Sequence, residues 1–339
     1  MSKRDKAARK KKRREERIRQ EKHARRAQPL EREDDEEEDV AGSIAQERAL
    51  RRFELVRERP EHRAAARSAL ASRALEKRSD ALALELIAAD PREQAQELAF
   101  QALESDDALT ARTLAGQALA LDAECADALA VLALGHGDAP AQCAALAAAV
   151  AAAKHRLGEP FIAEKRGRLH AVVRAWPLLR LTEQLAFAWR AGGERGEARA
   201  ALEEVLALDA SDDTGLRWEL LGWQLEDGEH AAARRLIAAW PSDADDADLG
   251  AELAWARVLM LLLAGEPAGA VEERIRAERL NALALPALLG REPDQAQVRR
   301  APHHAEEAWL ISERLGPAWR AHPEAWRWLG APAAPPAGA

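Results

Sequence analysis

The sequence predicts an all-α protein: an α-solenoid of helical hairpins behind a disordered, charged N-terminal arm. Three observations carry that expectation. Of 339 residues, 80 are alanine, against only 16 prolines and 19 glycines, and Ala, Leu, Arg and Glu lose little side-chain freedom in a helix. Apolar residues recur at spacings of three and four, and no stretch sustains the period-two alternation of a half-buried strand. Polar turns return at short intervals, at Glu104–Asp107, Leu121–Glu124, Gly135–Asp138, Gly192–Arg195, Asp209–Asp213 and Glu226–Gly228. That rhythm belongs to stacked helical repeats.

The elements follow in chain order. Residues 1–26 hold 14 Lys/Arg against 4 Asp/Glu, and residues 31–39 hold eight acids and one arginine, so a net charge of −8 hides two opposed blocks. Neither block can bury enough apolar area to repay chain ordering, and residues 1–40 are expected to be disordered or transiently helical. Lys10, Lys11, Lys12, Arg13 and Arg14 are the densest part of the arm and a candidate non-specific nucleic-acid contact. Such charge neutralises phosphates with steep salt dependence, whereas the lack of interleaved aromatics gives bases nothing to stack on. The acidic run can equally pair with the arm in cis, leaving a self-shielded solubility tail.

Leading helices are expected over 41–80. Ala45, Ala49, Phe53 and Val56 share one face, and Pro60 closes that segment. Two further short helices, Ala64–Arg78 and Leu82–Ala89, lead to Asp90-Pro91, where Asp caps and Pro suits the first turn. The helical array occupies 81–330, and residues 331–339, with three prolines, form a loose tail.

Several function classes fall away. Cys125 and Cys143, in Ala/Leu-rich helical surroundings, are too few for a disulfide framework and fit a reducing compartment. The basic start leads into more charge rather than an apolar signal region. The longest run dense in large apolar residues, Val258–Ala264, is far short of the ~20 residues a bilayer needs. A soluble, cytoplasmic protein without membrane contact is expected, and its arginine-rich, lysine-poor body suits a GC-rich bacterial genome.

Catalytic and metal patterns are equally thin. His303-His304 with Glu306 and Glu307 is the densest ligand cluster, but adjacent histidines diverge by about 100° on a helix, and Pro302 marks a loop or helix start. Asp243-Ala-Asp-Asp-Ala-Asp248 resembles the opening of a calcium loop without its Gly at six or Glu at twelve; N-capping by Asp248 suits it better. Gly135-His-Gly137 has no preceding strand to make it a dinucleotide loop, and no Gly-x-Ser-x-Gly or Gly-Lys-Ser/Thr occurs. Glu203-Glu204 and Glu272-Glu273 are adjacent helical acids of solvated faces. No enzyme, cofactor, metal or small-molecule substrate is implied.

The repeats carry more. Gln117-Ala-Leu-Ala-Leu-Asp-Ala123 and Glu204-Val-Leu-Ala-Leu-Asp-Ala210 agree at five of seven positions, 87 residues apart. The clearest unit, Leu179–Asp212, has Leu185-Ala186, Trp189, Gly193 in the turn, Ala198, Leu202, Val205 and Asp209-Ala210. An earlier unit holds Ala111, Ala118 and Leu119–Ala123, leading into Ala126–Leu132. Two looser ones hold Leu221-Gly222, Gly228 and Ala232, then Trp255, Gly265 and Ala270. These residues resemble the tetratricopeptide family, whose ~34-residue unit is a pair of antiparallel helices, with small residues where the two helices approach. Alanine replaces the usual closing proline, and Leu or Trp stands at tyrosine positions.

A narrower similarity covers 94–330. Ala95-Gln-Glu-Leu98, Ala118–Ala128, Glu159-Pro-Phe-Ile-Ala-Glu-Lys-Arg-Gly-Arg-Leu169, Asp212-Asp-Thr-Gly-Leu-Arg-Trp218 and Pro323-Glu-Ala-Trp-Arg-Trp-Leu329 resemble the bacterial relatives of the suppressor-of-tumorigenicity-seven family. The two resemblances imply a right-handed α-solenoid of tetratricopeptide-like hairpins and a protein or peptide partner in its concave face. Carried over position by position, the inner face presents Arg180, Glu183, Phe187 and Arg190, with Arg217 following. These side chains either line a partner groove or contact a neighbouring helix. The carboxylate-clamp positions of the family hold Glu183 and Phe187, and Ala130 and Leu134 in the earlier unit, so a terminal-carboxylate clamp is not implied. All ten tryptophans lie between Trp176 and Trp328; Trp309, Trp319, Trp326 and Trp328 either line a groove or pack the last helices into a lid.

Overall fold

The structure, a computed structural model, describes residues 35–58, 73–135, 137–212, 214–239, 250–292 and 294–330. Helix follows helix through all of them, and among the described residues no strand forms beyond one bridge between Arg168 and Asp209. The expected arm residues Lys10–Arg14, the stretch Ala64–Ala71, the Asp243–Asp248 run and the tail 331–339 lie outside the described residues.

The chain divides into two units, 1–46 and 47–339. Of the first, the described part is 35–46, the opening of helix α1 (Asp35–Glu58), so this helix begins within the stretch expected to be loose. The second unit holds the rest of α1 and sixteen further helices among the described residues. Helix α2 (Arg73–Ala89) is continuous where two short helices were expected, because Arg78-Ser-Asp-Ala81 contains no glycine or proline to end it. Phe53 and Val56 of α1 pack on Leu82, Ala83 and Leu86 of α2. Asp90 then caps α3 (Pro91–Leu103), its carboxylate accepting from the Arg92 amide at 2.9 Å.

Helices α3 and α4 (Ala108–Leu121) pack together, and α5 (Ala126–Ala133) packs on both. Next come α6 (Ala139–Leu157), the short α7 (Glu159–Lys165) and two 3-10 turns, Leu169–Ala171 and Val173–Ala175. The short α7 and the two 3-10 turns lie between the two matching motifs, 87 residues apart, in addition to the α5–α6 and α8–α9 pairs.

Three hairpins follow: α8 (Trp176–Gly192) with α9 (Arg195–Leu208), α10 (Leu216–Glu226) with α11 (His230–Ala238), and α12 (Gly250–Leu263) with α13 (Pro267–Leu280). Their turns are the same. Each first helix runs into a glycine with positive φ, Gly193 (+88°), Gly228 (+78°) and Gly265 (+76°), followed by glutamate. The amides of each Gly-Glu pair reach back to carbonyls three and five residues earlier, from Arg190 and Trp189, Leu225 and Gln224, and Leu262 and Leu261. That double bond satisfies carbonyls the helix end would leave orphaned, in a conformation that costs glycine little.

Five residues beyond each glycine stands a fully buried alanine: Ala198, Ala233 and Ala270. The middle one corrects the expected Ala232 by one residue, because the geometry counts from the turn. Helices α4, α9 and α13 also end alike: Asp122, Asp209 and Asn281 are extended caps whose Oδ1 accepts from the amide two residues on, whereas α11 ends at Ala239 in the helical region.

The apolar core is a chain of clusters in which each shares a helix with the next: α3–α5, α5–α9, α8–α10, and α10 to the C-terminus. The last cluster includes α14 (Ala284–Leu288), α16 (Pro302–Ala321) and α17 (Pro323–Gly330), with α15 (Gln295–Arg300) against α16. Helix α16 departs from neighbour-on-neighbour packing. It turns back onto α14, α12 and α10.

Candidate interaction face

Counting back from the turn glycines aligns the first helices of the three hairpins. Six residues before each glycine stand Phe187, Gly222 and Leu259; ten before stand Glu183, Trp218 and Trp255; thirteen before stand Arg180, Gly215 and Glu252. In the second and third hairpins Gly215, Gly222, Glu252, Trp255 and Leu259 meet α16. A Cβ on Gly222 would collide with the Arg314 carbonyl oxygen, and one on Gly215 would stand 3.8 Å from the Arg314 guanidinium. Trp255 meets Trp319 edge to face, ring centroids 6.3 Å apart, and Leu259 is fully buried in the cluster that holds Ile311 and Leu315. Arg314 pairs with Glu252 (3.3 Å) and Glu219 (2.8 Å).

In α8 the position six before the turn lies open. Phe187 is 40% exposed, and Leu134, at the end of α5, is 56% exposed. The Asp127–Arg180 ion pair (2.8 Å) joins α5 to α8, and Leu134 and Phe187 each lie seven residues beyond it. They therefore share a level if the two helices keep that register. Phe187 meets Trp223 edge-on, with centroids 5.3 Å apart.

The arginines of this face are held from within. Arg180 donates to Glu47 (2.5 Å) and Asp127 (2.8 Å), both carboxylates almost wholly buried, and Gln96 donates to the other oxygen of Asp127 at 2.7 Å. Burial disfavours the Arg180 charge, but Asp127 and Glu47 outweigh it and hold the guanidinium above its ordinary range. Burial likewise pushes Glu47 up, with Arg180 pulling partly against it. Arg190 donates two bonds to Asp227 (2.8 and 3.0 Å) and one to Glu226, and its guanidinium lies over the Trp223 ring at 5.2 Å. Arg195 and Arg199 also donate to Asp227. Burial works to raise that carboxyl, but bonds from Arg190 and Arg195 prevail and hold it low.

Glu183 is the exception. Among the described residues it makes no ion pair; burial raises its carboxyl, Glu219 and Asp212 add to the shift, and Arg180 pulls partly against them. Thus Arg180, Glu183, Phe187 and Arg190 come together along one face of α8. Arg217 does not join them: it bonds the Ala210 carbonyl at 3.1 Å beside Asp212, in the turn before α10.

No family model and no curated protein matches this chain. What the face can do is therefore read from its own chemistry. Among the described residues no three His, Cys, Asp or Glu side chains converge as a metal site, and no helix is long and apolar enough to cross a membrane. His303 and His304 stand at the start of α16, rings 4.4 Å apart. Cys125 and Cys143 are unpaired, and burial pushes the Cys125 thiol up to about 11, away from the reactive thiolate. Another side of α8 carries an open groove of about 370 Å³ against α6 and α9, lined by Val150, Leu185, Trp189 and Ala201 and edged by the Lys154–Glu204 pair (2.7 Å).

Sequence reasoning missed Glu47, Asp127 and Asp227 as partners of the face arginines, and it missed α16 as the cover of α10 and α12. The stripe Ala308, Ile311, Leu315, Trp319 was a readable signal for a helix with one buried face. The ion partners carry no such signal, because pairings 37 and 53 residues apart depend on tertiary register. Of the four late tryptophans, Trp319 is fully buried, Trp326 and Trp328 pack against the core, and Trp309 is 53% exposed.

Proposed function

We propose that this protein is a non-enzymatic interaction scaffold: a right-handed solenoid of tetratricopeptide-like hairpins that holds a segment of another protein against α5 and α8. The exposure of Phe187 carries this reading, because the aligned positions in α10 and α12 lie beneath a helix. Recurrent Gly-Glu turns with a buried alanine five residues on support the repeat architecture, and an unfilled stretch of such a face is where repeat arrays bind. A cytoplasmic setting suits the unpaired cysteines.

Phe187→Asp tests the reading. Affinity capture from the native lysate, with and without nuclease, is expected to return specific proteins with the natural chain and to lose them with the variant. A second reading rests on the +10 charge of residues 1–26: a nucleic-acid- or ribosome-associated adaptor tethered through the arm. That reading expects captured material to vanish with nuclease and with deletion of 1–34, and to be indifferent to Phe187→Asp.

A further inference from the structure

We infer that the segment docking on α5 and α8 is an amphipathic helix that presents an arginine to Glu183 and an apolar stripe to Leu134 and Phe187. This rests on the scaffold reading above and adds the chemistry of the partner.

The surface asks for both halves of that description. Leu134 and Phe187 leave apolar area in water, and burying it is the main drive for association. Glu183 is half-buried and makes no ion pair among the described residues; Arg180 pulls on its charge from one turn away but directs its bonds to Glu47 and Asp127, so the Glu183 carboxylate is left to favour an arriving positive charge. Arginine is favoured over lysine because its fork can bond a carboxylate bidentately and its plane stacks on aromatic rings. Phe187 and Trp223 supply such rings close by.

The molecule already contains an occupant of this kind. Helix α16 covers the continuation of the same face with Ile311, Leu315 and Trp319 turned into the core, and it carries Arg314 to Glu219 and Glu252. The uncovered stretch continues from that interface. It is bounded by the Glu47–Arg180 pair at one end and by the Arg190–Asp227 pair at the other. Ten residues separate Arg180 from Arg190, about 15 Å along α8, a span that a few turns of helix can cover. The described backbone on either side is paired within helices, which leaves no strand edge for an extended peptide to join.

The probe is a fluorescent peptide of the α16 sequence, Pro302–Ala321, added to the full chain. In the full chain the α10–α12 site is filled in cis at high effective concentration, so the added peptide reports the open face. A second peptide carries Arg314→Glu. Anisotropy is expected to show the arginine peptide binding at least about tenfold more tightly than the glutamate one, with that preference reversed on Glu183→Lys and reduced on Glu183→Gln. Both variants are checked by thermal melting, and Glu183→Gln suffices if Glu183→Lys does not fold. Equal binding of the two peptides, both lost on Phe187→Asp, overturns the arginine assignment and leaves the scaffold reading standing. Failure of the arginine peptide to bind overturns the inference, and the capture experiment then judges the scaffold reading by itself. Peptide binding untouched by Phe187→Asp overturns the inference too, and counts against the face on which the scaffold reading rests. A chain that dimerises in light scattering, and becomes monomeric on Phe187→Asp, overturns it in favour of a second copy as the occupant.

Discussion

The α10–α12 part of the aligned face and its α5–α8 part differ in what lies above them, and their side chains differ accordingly. Where α16 comes down, the position six before the turn is Gly222, small enough for a helix backbone to touch, or Leu259, sealed in the core. In α8, where α1 reaches Arg180 through Glu47, the same position is Phe187, in partial contact with water. Charges follow the same division. Glu219 and Glu252 share Arg314, whereas Glu183 has no cation of its own among the described residues. The residue at a repeat position therefore reports whether the molecule covers it, and an uncovered stretch is recognised by the partner chemistry it lacks.

The comparison is broken most forcefully at Trp319. It is fully buried and edge-on to Trp255, so Trp319→Ala is expected to cost roughly 3–5 kcal/mol through lost burial and a cavity. Urea unfolding followed by tryptophan fluorescence measures it. Helix α16 joins α10, α12 and α14, so the loss should loosen the C-terminal end first and broaden the transition. A cost below about 1 kcal/mol would mean that α16 is a loosely held cover and that the two parts of the face are alike.

A smaller effect separates the two by pH. Glu252 lies under α16 with one carboxylate oxygen bonded to Arg314 and the other unpartnered. Burial raises its carboxyl to about 7, against the pull of Arg314, while Glu219 and Glu307 push it further up. A group whose folded pKa is raised stabilises below its unfolded value of 4.5 and loses that contribution as pH climbs to about 7. Over this window the loss is on the order of 2–3 kcal/mol. Stability of the natural chain measured against Glu252→Gln at pH 5 and pH 8 should show the natural chain losing ground at the higher pH. A difference that does not change with pH would remove Glu252 from the account.

The hairpin register gives the next test. Ala198 and Ala233 stand where two helices approach, and Leu at either is expected to cost about 1–3 kcal/mol through overpacking. Ala232→Leu, one residue aside and only partly buried, should cost well under half as much. Equal costs at Ala232 and Ala233 would dissolve the alignment on which the covered and uncovered positions are matched.

That alignment also shows how much the chain declared in advance. The helices, and the turns at 104–107, 121–124, 192–195 and 226–228, were legible because composition, periodicity and glycine act locally. That Arg180, Glu183, Phe187 and Arg190 share one side of α8 was legible because helical spacing fixes which residues share a side. Arg217 stands one residue before the aligned position Trp218, and a helix turns 100° per residue, which sets it off that row. The descent of α16 onto Gly222 was hidden: it joins residues 92 apart, and no local propensity encodes such a return. The same distance hid the ion pairs of Arg180 and Arg190.

The smallest expected change in stability is the one most tied to function. Phe187 is 40% exposed and touches Trp223 edge-on, so Phe187→Ala loses one aromatic contact, worth roughly 0.5–1.5 kcal/mol, and less burial than a core position would. The aligned truncation under α16, Leu259→Ala, should cost about 2–5 kcal/mol. Urea titrations of the two variants side by side measure the ratio. If α8 is a docking face, partner capture should invert that order: Phe187→Ala keeps the fold and loses the partner, whereas a mild Leu259→Val keeps both. If both variants retain the partner, the exposed phenylalanine is an accident of packing, and the binding surface lies elsewhere, with the α6–α8–α9 groove beside Trp189 the next place to substitute.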